Sequence, residues 1–99
     1  MVTRKQILFF LDTNKYYLEE KFNVSKIGIF GSFAKGTEDE NSDIDIIVEF
    51  KDGTENLFEI KNAMKEFIGN YLNIKVDLCR EKYIKSIFRE KILKDAYFI

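Results

Sequence analysis

Two apolar, β-rich segments joined by a short link restrict the fold more than any other feature of this sequence. The first, Lys26 to Phe30, runs directly into Gly31-Ser32, and the second extends from Asp43 to Phe50. Only residues 31 to 42 connect them, which is short for the crossover that joins parallel strands. We therefore expect an antiparallel pair, with a short helix over residues 33–36 in the link.

Hydrophobic periodicity predicts helices around these strands. Thr3 and Gln6 fit a capping box at the start of the first helix. In chain order, the predicted elements are a helix from Thr3 to about Phe22, a strand from Lys26 to Phe30, a short helix over 33–36, a strand from Asp43 to Phe50, a helix from Leu57 to about Gly69, a strand from Ile74 to Leu78 and a helix from Ile84 to Ile92. The apolar tail from Ala96 to Ile99 is expected to dock or to add a short edge strand.

The order α-β-α-β-α-β-α predicts an α/β (α+β) fold. The long helix between the second and third strands allows those two to run parallel, so we expect a small mixed sheet with helices packed on one face. Ile44, Ile46 and Val48 share the core-facing side of the second strand, whereas Asp43 and Asp45 share the other side. Since 99 residues with 45% hydrophobic content suffice for one core, we expect residues 1–99 to form a single domain.

Composition excludes several classes of protein. The 16 Lys and Arg residues nearly balance the 17 Asp and Glu residues, so a generic nucleic-acid binder is not expected. The single Cys79 cannot form an internal disulfide, and no leader or membrane-spanning run is apparent, so we expect a soluble cytoplasmic protein without a membrane partner. Because histidine is absent, carboxylates are the expected metal ligands, and they favour Mg²⁺ or Mn²⁺.

The segment from Gly31 to Asp45 carries residues suited to phosphate chemistry. Alternate residues of a strand point the same way with Cα atoms roughly 6.5 Å apart, so Asp43 and Asp45 can share one cation or a closely spaced pair. Gly31 allows the backbone to approach an anion, Ser32 can offer its hydroxyl at the start of the short helix, and Lys35 adds a positive charge. A Gly-Ser pair alone is a common turn, so the combination carries the prediction.

Gly31-Ser32, a ten-residue gap and Asp43-x-Asp45 together resemble the signature of DNA polymerase β-type nucleotidyltransferases. In size and order of elements, nearly the whole chain resembles the minimal nucleotidyltransferases, or MNT proteins. In that family a third carboxylate lies in a Val-Asp-Leu segment of a later strand, which Val76-Asp77-Leu78 matches. The resemblance implies that Asp43, Asp45 and Asp77 bind Mg²⁺ and that Asp77 acts as the general base.

The resemblance also implies a substrate and a partner. MNT proteins often act as antitoxins to HEPN toxins, so the expected reaction is transfer of AMP from ATP to a hydroxyl, a tyrosine of such a toxin. The alternative is a pure binding module that blocks its partner sterically while its nucleotide site is idle. A small-molecule nucleotidyltransferase of the antibiotic-modifying kind would carry an extra helical domain, and a template-directed polymerase would need a basic groove.

Several roles stay open at the level of sequence. Lys35 stands where the family often has arginine, and an ammonium lacks the planar fork of a guanidinium. Phe33 can line the nucleotide site or pack beneath the loop, and packing is favoured. The segment Arg80 to Lys94 carries six basic residues against two acidic ones, which is typical of a solvated helix face but also suits an acidic partner or a nucleic acid. A homo-oligomer is compatible with the sequence.

Overall fold

The computed structural model describes residues 2–99, which form a four-stranded sheet and its helices. In chain order the elements are α1 (Arg4–Thr13), α2 (Lys15–Phe22), β1 (Val24–Phe30), α3 (Gly31–Lys35), β2 (Ile44–Phe50), α4 (Leu57–Leu72), β3 (Val76–Arg80), a 3-10 helix (Glu81–Tyr83), α5 (Ser86–Asp95) and β4 (Tyr97–Phe98). Within residues 2–99, none of the helices has the length and apolar character needed to cross a membrane.

The sheet has the strand order β3-β2-β1-β4 and mixes two strand orientations. β1 runs antiparallel to both β2 and β4, whereas β2 and β3 are parallel. Both predicted pairings are therefore confirmed, and so is the short edge strand expected from the C-terminal tail. α4 supplies the long connection that a parallel pair requires.

The core lies between one face of the sheet and the helices α1, α2 and α4. Ile44, Ile46 and Val48 belong to it, as predicted, together with Ile27 and Ile29 of β1. The apolar stripes of the helices complete it (Ile7, Leu11, Leu18, Phe22, Met64 and Ile68). The predicted packing of helices on one face is confirmed for these three helices. The 3-10 helix and α5 lie at the opposite face, where Glu81 pairs with Lys26 at 2.7 Å and Phe88 shares a cavity with Phe30.

The first predicted helix is interrupted at Asn14, which separates α1 from α2. The side-chain amide of Asn14 donates to the carbonyl of Phe10, with an Nδ2 to O distance of 2.9 Å. Asparagine side chains compete with the backbone for such carbonyls and so disfavour the interior of a helix. The prediction of one continuous helix is therefore wrong, although the apolar stripe is buried on both halves.

β3 begins at Val76 rather than at the predicted Ile74, and it ends at Arg80 rather than Leu78. The reason lies in the end of α4, where Asn73 adopts a left-handed conformation with a φ of 56°. The backbone N–H of Ile74 then donates to the carbonyl of Gly69 at 3.2 Å. Ile74 thus closes the helix and cannot also begin the strand.

Phe33 anchors α3 in the core, as predicted, and offers a test of the packing. Its side chain is 0% exposed, whereas that of Phe9 on α1 is 72% exposed. Phe33→Ala should lower the free energy of unfolding by about 3–5 kcal/mol, because burial is lost and a cavity remains. Phe9→Ala should change it by less than about 1 kcal/mol. Urea denaturation followed by circular dichroism measures both, and equal effects would contradict the packing described here.

Candidate functional site

Asp45 and Asp77 lie directly opposite each other on the parallel strands β2 and β3. Ile44 and Val76, which precede them, are both buried in the core. Because side chains alternate along a strand, both carboxylates point to the other face of the sheet. Asp45 is half-buried, whereas Asp77 is exposed on the outer strand of the sheet.

Asp43 precedes the first residue of β2 and is half-buried. Its Oδ2 atom lies 3.8 Å from Nζ of Lys75, whose side chain is 73% exposed. An ion pair of this length and exposure contributes little stability, because water and salt screen it. The Asp43 carboxylate is therefore not committed to a structural ion pair.

The three aspartates act on one another electrostatically. The pKa of Asp45 is raised above its ordinary value, first by burial and then by the negative charges of Asp77 and Asp43. Among residues 2–99, no three His, Cys, Asp or Glu side chains are gathered closely enough, as they stand, to hold a metal ion. A divalent cation would reverse the repulsion between these carboxylates, and aspartate oxygens are ligands that Mg²⁺ accepts.

The backbone of Gly31 lies against the carboxylate of Asp45. Phe30 and Asp45 are partners in the β1–β2 register, and the chain turns from β1 into α3 at Gly31 with a φ of 73°. A Cβ atom at this position would collide with Oδ2 of Asp45. Glycine is needed both for the backbone conformation and for the close approach.

Ser32 and Lys35 flank the buried residues of the short helix α3. Ser32 is half-buried next to Gly31, and Lys35 is exposed at the end of the helix. Phe33 and Ala34, which lie between them, are buried and hold α3 against the core. The structure thus brings Ser32 and Lys35 to the same end of the sheet as Asp45, and their role in phosphate binding stays a prediction.

Glu49 shares a face of β2 with Asp45, but other groups hold it. Its Oε1 accepts hydrogen bonds from Nη2 and Nε of Arg80 at 2.9 and 3.2 Å, and its Oε2 accepts one from the backbone N–H of Lys82 at 2.8 Å. Burial alone would raise the pKa of Glu49, but the Lys82 N–H and the Arg80 guanidinium hold it below its ordinary value. Glu49 therefore fixes the 3-10 helix to the sheet and is not part of the aspartate group.

A cavity of about 240 Å³ adjoins Gly31 on the face of the sheet that α5 covers. It is lined by Phe30, Gly31, Lys35, Phe88, Lys91, Ile92 and Asp95. Sequence patterns did not identify the α5 residues of this site, because the contact between α5 and the β1–α3 turn arises from tertiary packing. The helical spacing of Phe88 and Ile92 is the only signal, and it does not say which face of the sheet the helix covers.

Comparisons with known proteins identify the family. The family model described as the nucleotidyltransferase domain matches residues 12–98. The chain is 32% identical over 99 residues to the protein adenylyltransferase MntA of Thermococcus cleftensis, and the match covers 100% of this chain and 98% of that protein. The chain therefore belongs to the nucleotidyltransferase domain family, and the prediction of a nucleotidyltransferase enzyme is confirmed.

Solved structures bear out the fold. A protein provisionally named a minimal nucleotidyltransferase superposes with a TM-score of 0.78 at 23% identity, over 97% of this chain and 95% of that one. The complex of a tri-AMPylated Shewanella oneidensis HEPN toxin with its MNT antitoxin contains a chain that superposes with a TM-score of 0.62 at 17% identity, over 93% of this chain and 70% of that one. Together with the family match, these findings confirm the predicted resemblance to minimal nucleotidyltransferases.

Asp45→Asn should raise the free energy of unfolding near neutral pH. Because the folded protein raises the pKa of Asp45, the ionised carboxylate destabilises the fold at pH values above that pKa. This destabilisation is lost as the pH falls through the raised pKa toward the ordinary value of 3.8. The gain from Asp45→Asn should therefore shrink over that pH range.

Urea denaturation at a series of pH values measures this effect. Asp52→Asn is the matched control, since Asp52 is exposed in the turn after β2. A gain from Asp45→Asn that does not vary with pH, or an equal gain from the control, would contradict an electrostatic origin.

Proposed function

We propose that this protein transfers AMP from Mg²⁺-bound ATP to a hydroxyl group of a partner protein, a tyrosine of a HEPN toxin, and so acts as its antitoxin. The observation that carries the proposal is the opposed pair of Asp45 and Asp77, with the backbone of Gly31 lying against the carboxylate of Asp45. The relatives support it, because the Thermococcus cleftensis protein is named a protein adenylyltransferase and the Shewanella oneidensis toxin is tri-AMPylated.

Asp43, Asp45 and Asp77 would hold one Mg²⁺ ion or two. Carboxylate oxygens are hard ligands, and the chain has no histidine that would favour a softer metal. The raised pKa of Asp45 fits this role, since a nearby cation favours the ionised form that negative neighbours disfavour. When bound, Mg²⁺ offsets the charge of the phosphate oxygens and polarises the groups that it coordinates.

Gly31, Ser32 and Lys35 would position the triphosphate. The missing side chain at Gly31 lets the β1–α3 turn lie directly against the carboxylate of Asp45. The hydroxyl of Ser32 can donate a hydrogen bond to a phosphate oxygen, and the ammonium of Lys35 adds a positive charge. Within residues 2–99, Lys35 forms no ion pair with a carboxylate, so this charge is available to a ligand.

In the proposed reaction, the acceptor oxygen attacks the α-phosphorus of ATP. A bond forms between that oxygen and the α-phosphorus, while the bond from the α-phosphorus to the oxygen that bridges to the β-phosphate breaks, and pyrophosphate leaves with the electron pair. Asp77 accepts the proton of the acceptor hydroxyl and passes it to solvent. The exposure of Asp77 suits both steps.

The outer position of β3 suits an acceptor that belongs to a protein. In the sheet formed by residues 2–99, no strand lies beyond β3. Asp77 and Lys75 are both exposed along this edge. A partner surface can therefore bring a hydroxyl group to Asp77 without displacing any described element of the fold.

The double variant Asp43→Asn, Asp45→Asn should keep the fold and lose the chemistry. The change preserves side-chain size but removes the charges that would hold the cation, so the rate of AMP transfer should fall by several orders of magnitude, on the order of 10³-fold or more. Incubation of a candidate HEPN toxin with Mg²⁺ and ATP, followed by intact mass spectrometry, measures addition of AMP. Asp52→Asn, which changes an exposed turn residue, should transfer at the wild-type rate.

The same experiment decides between catalysis and steric blocking. The proposal would be supported if wild type and Asp52→Asn transferred AMP and the double variant did not. Transfer should also be lost when the acceptor tyrosine of the toxin is changed to phenylalanine. If the double variant protected cells from the toxin as well as wild type did, and neither changed the mass of the toxin, the protein would be a binding module with an idle nucleotide site.

A further inference from the structure

The cavity beside Gly31 has two walls of different origin. One wall belongs to the end of β1 and to α3, where Phe30 is half-buried and Lys35 is exposed. The other belongs to α5, where Phe88 and Ile92 lie one helical turn apart on the side that faces β1. Each wall thus contributes one aromatic residue to the lining, and Phe88 remains 55% exposed.

Two charged residues of α5, Lys91 and Asp95, complete the lining. Asp95 is the last residue of α5. A carboxylate in the last turn of a helix meets the negative end of the helix dipole, which is unfavourable for stability. Among residues 2–99, Asp95 forms no ion pair with a lysine or arginine within 4.0 Å that would offset this cost. Its acceptor oxygens are therefore available to a ligand in the cavity.

The cavity lies next to Asp45 on the same face of the sheet. Gly31 lines the cavity, and its backbone also lies against Oδ2 of Asp45. Phe30, on the same wall, is the register partner of Asp45. A ligand whose phosphates lie beside Asp45 can therefore extend past Gly31 and place its other end between Phe30 and Phe88.

We propose that this cavity receives the purine base of the nucleotide, between Phe30 and Phe88, with Asp95 accepting a hydrogen bond from the exocyclic amino group of adenine. The proposal rests on the proposed function, since it assumes that the phosphates bind beside Asp45. A flat base has a π-face that stacks on aromatic rings. The volume of about 240 Å³ is below the roughly 300–1,000 Å³ of sites that enclose a whole drug-sized ligand, so it suits a base rather than an entire nucleotide.

The charges that line the cavity suit a nucleotide. Lys35, Lys91 and Asp95 all line it, and Lys35 and Asp95 also line a second cavity together, so positive charge lies close to Asp95. The two ammonium groups can attract the phosphates of a nucleotide, while Asp95 offers an acceptor to its base. Adenine can donate to a carboxylate through its amino group, while the hypoxanthine base of ITP presents a carbonyl at the same position and cannot.

Binding of two ligands to the intact chain tests the role of Phe88. Isothermal titration calorimetry would compare Mg²⁺·ATP with Mg²⁺·tripolyphosphate, which has the phosphates but no base. Phe88→Ala should weaken ATP binding by about five- to 150-fold, because one stacking partner is lost, and should leave tripolyphosphate binding unchanged. Ile87→Ala is the matched control on the same helix, since Ile87 is 80% exposed and does not line the cavity.

The base preference tests the role of Asp95. Wild type should bind Mg²⁺·ATP about tenfold more tightly than Mg²⁺·ITP, and Asp95→Ala should bring the two dissociation constants close together. Loss of affinity for tripolyphosphate in Asp95→Ala or Phe88→Ala would overturn the assignment, because these residues would then act on the phosphates or on the fold.

The outcomes separate this inference from the proposed function. If Phe88→Ala bound ATP as wild type did but transferred AMP to the acceptor more slowly, the cavity would belong to the acceptor and the inference would be overturned while the proposed function stood. If wild type bound neither ATP nor tripolyphosphate, both would be overturned. The double variant Asp43→Asn, Asp45→Asn should weaken the binding of both ATP and tripolyphosphate. This result would show that tripolyphosphate reports on the phosphate site independently of the base.

Discussion

The close approach of the Gly31 backbone to the Asp45 carboxylate is the contact on which the rest of the molecule depends. The antiparallel register of β1 and β2 sets Phe30 opposite Asp45, so the chain has to leave β1 beside that carboxylate. It does so with a φ of 73° at Gly31, a conformation that costs little only for glycine. α3 then returns Phe33 to the core. One residue thus links the register of the sheet to the position of the Asp45 carboxylate.

The charged residues on the side of β2 that faces the 3-10 helix and α5 have two different kinds of neighbour. Arg80 and the backbone N–H of Lys82 donate hydrogen bonds to the Glu49 carboxylate. These bonds lower the pKa of Glu49 and hold the 3-10 helix against the sheet. Burial and then the negative charges of Asp77 and Asp43 raise the pKa of Asp45. An arrangement that raises the pKa of a carboxylate lowers stability at neutral pH, and the apolar core on the other face offsets that cost. The two faces of β2 therefore act on stability in opposite directions.

Link length was enough to predict the pairings of β2 with β1 and β3, and strand alternation was enough to place Asp45 on the face opposite Ile44 and Ile46, because the side-chain period of a strand admits only two faces. The break at Asn14 was not predictable from apolar spacing, since it arises from a side-chain hydrogen bond to Phe10 that leaves the stripe intact. The start of β3 depends on how α4 ends. The N–H of Ile74 donates to the carbonyl of Gly69 and so belongs to the helix end instead of the strand. The walls of the cavity depend on which face of the sheet α5 covers, and an amphipathic helix pattern carries no such information.

The two open regions around Asp45 lie on different sides of it. Asp77 and the free edge of β3 lie on one side, whereas Gly31, Phe30 and the cavity under α5 lie on the other, because β2 separates β3 from β1 in the sheet. Phosphoryl transfer requires the attacking and leaving oxygens to lie roughly in line through the phosphorus. An acceptor that approaches along β3 and a nucleotide held from the β1 side would meet over Asp45 from different directions. Under the proposed function, the strand order β3-β2-β1 would therefore let the two substrates approach Asp45 without competing for the same path.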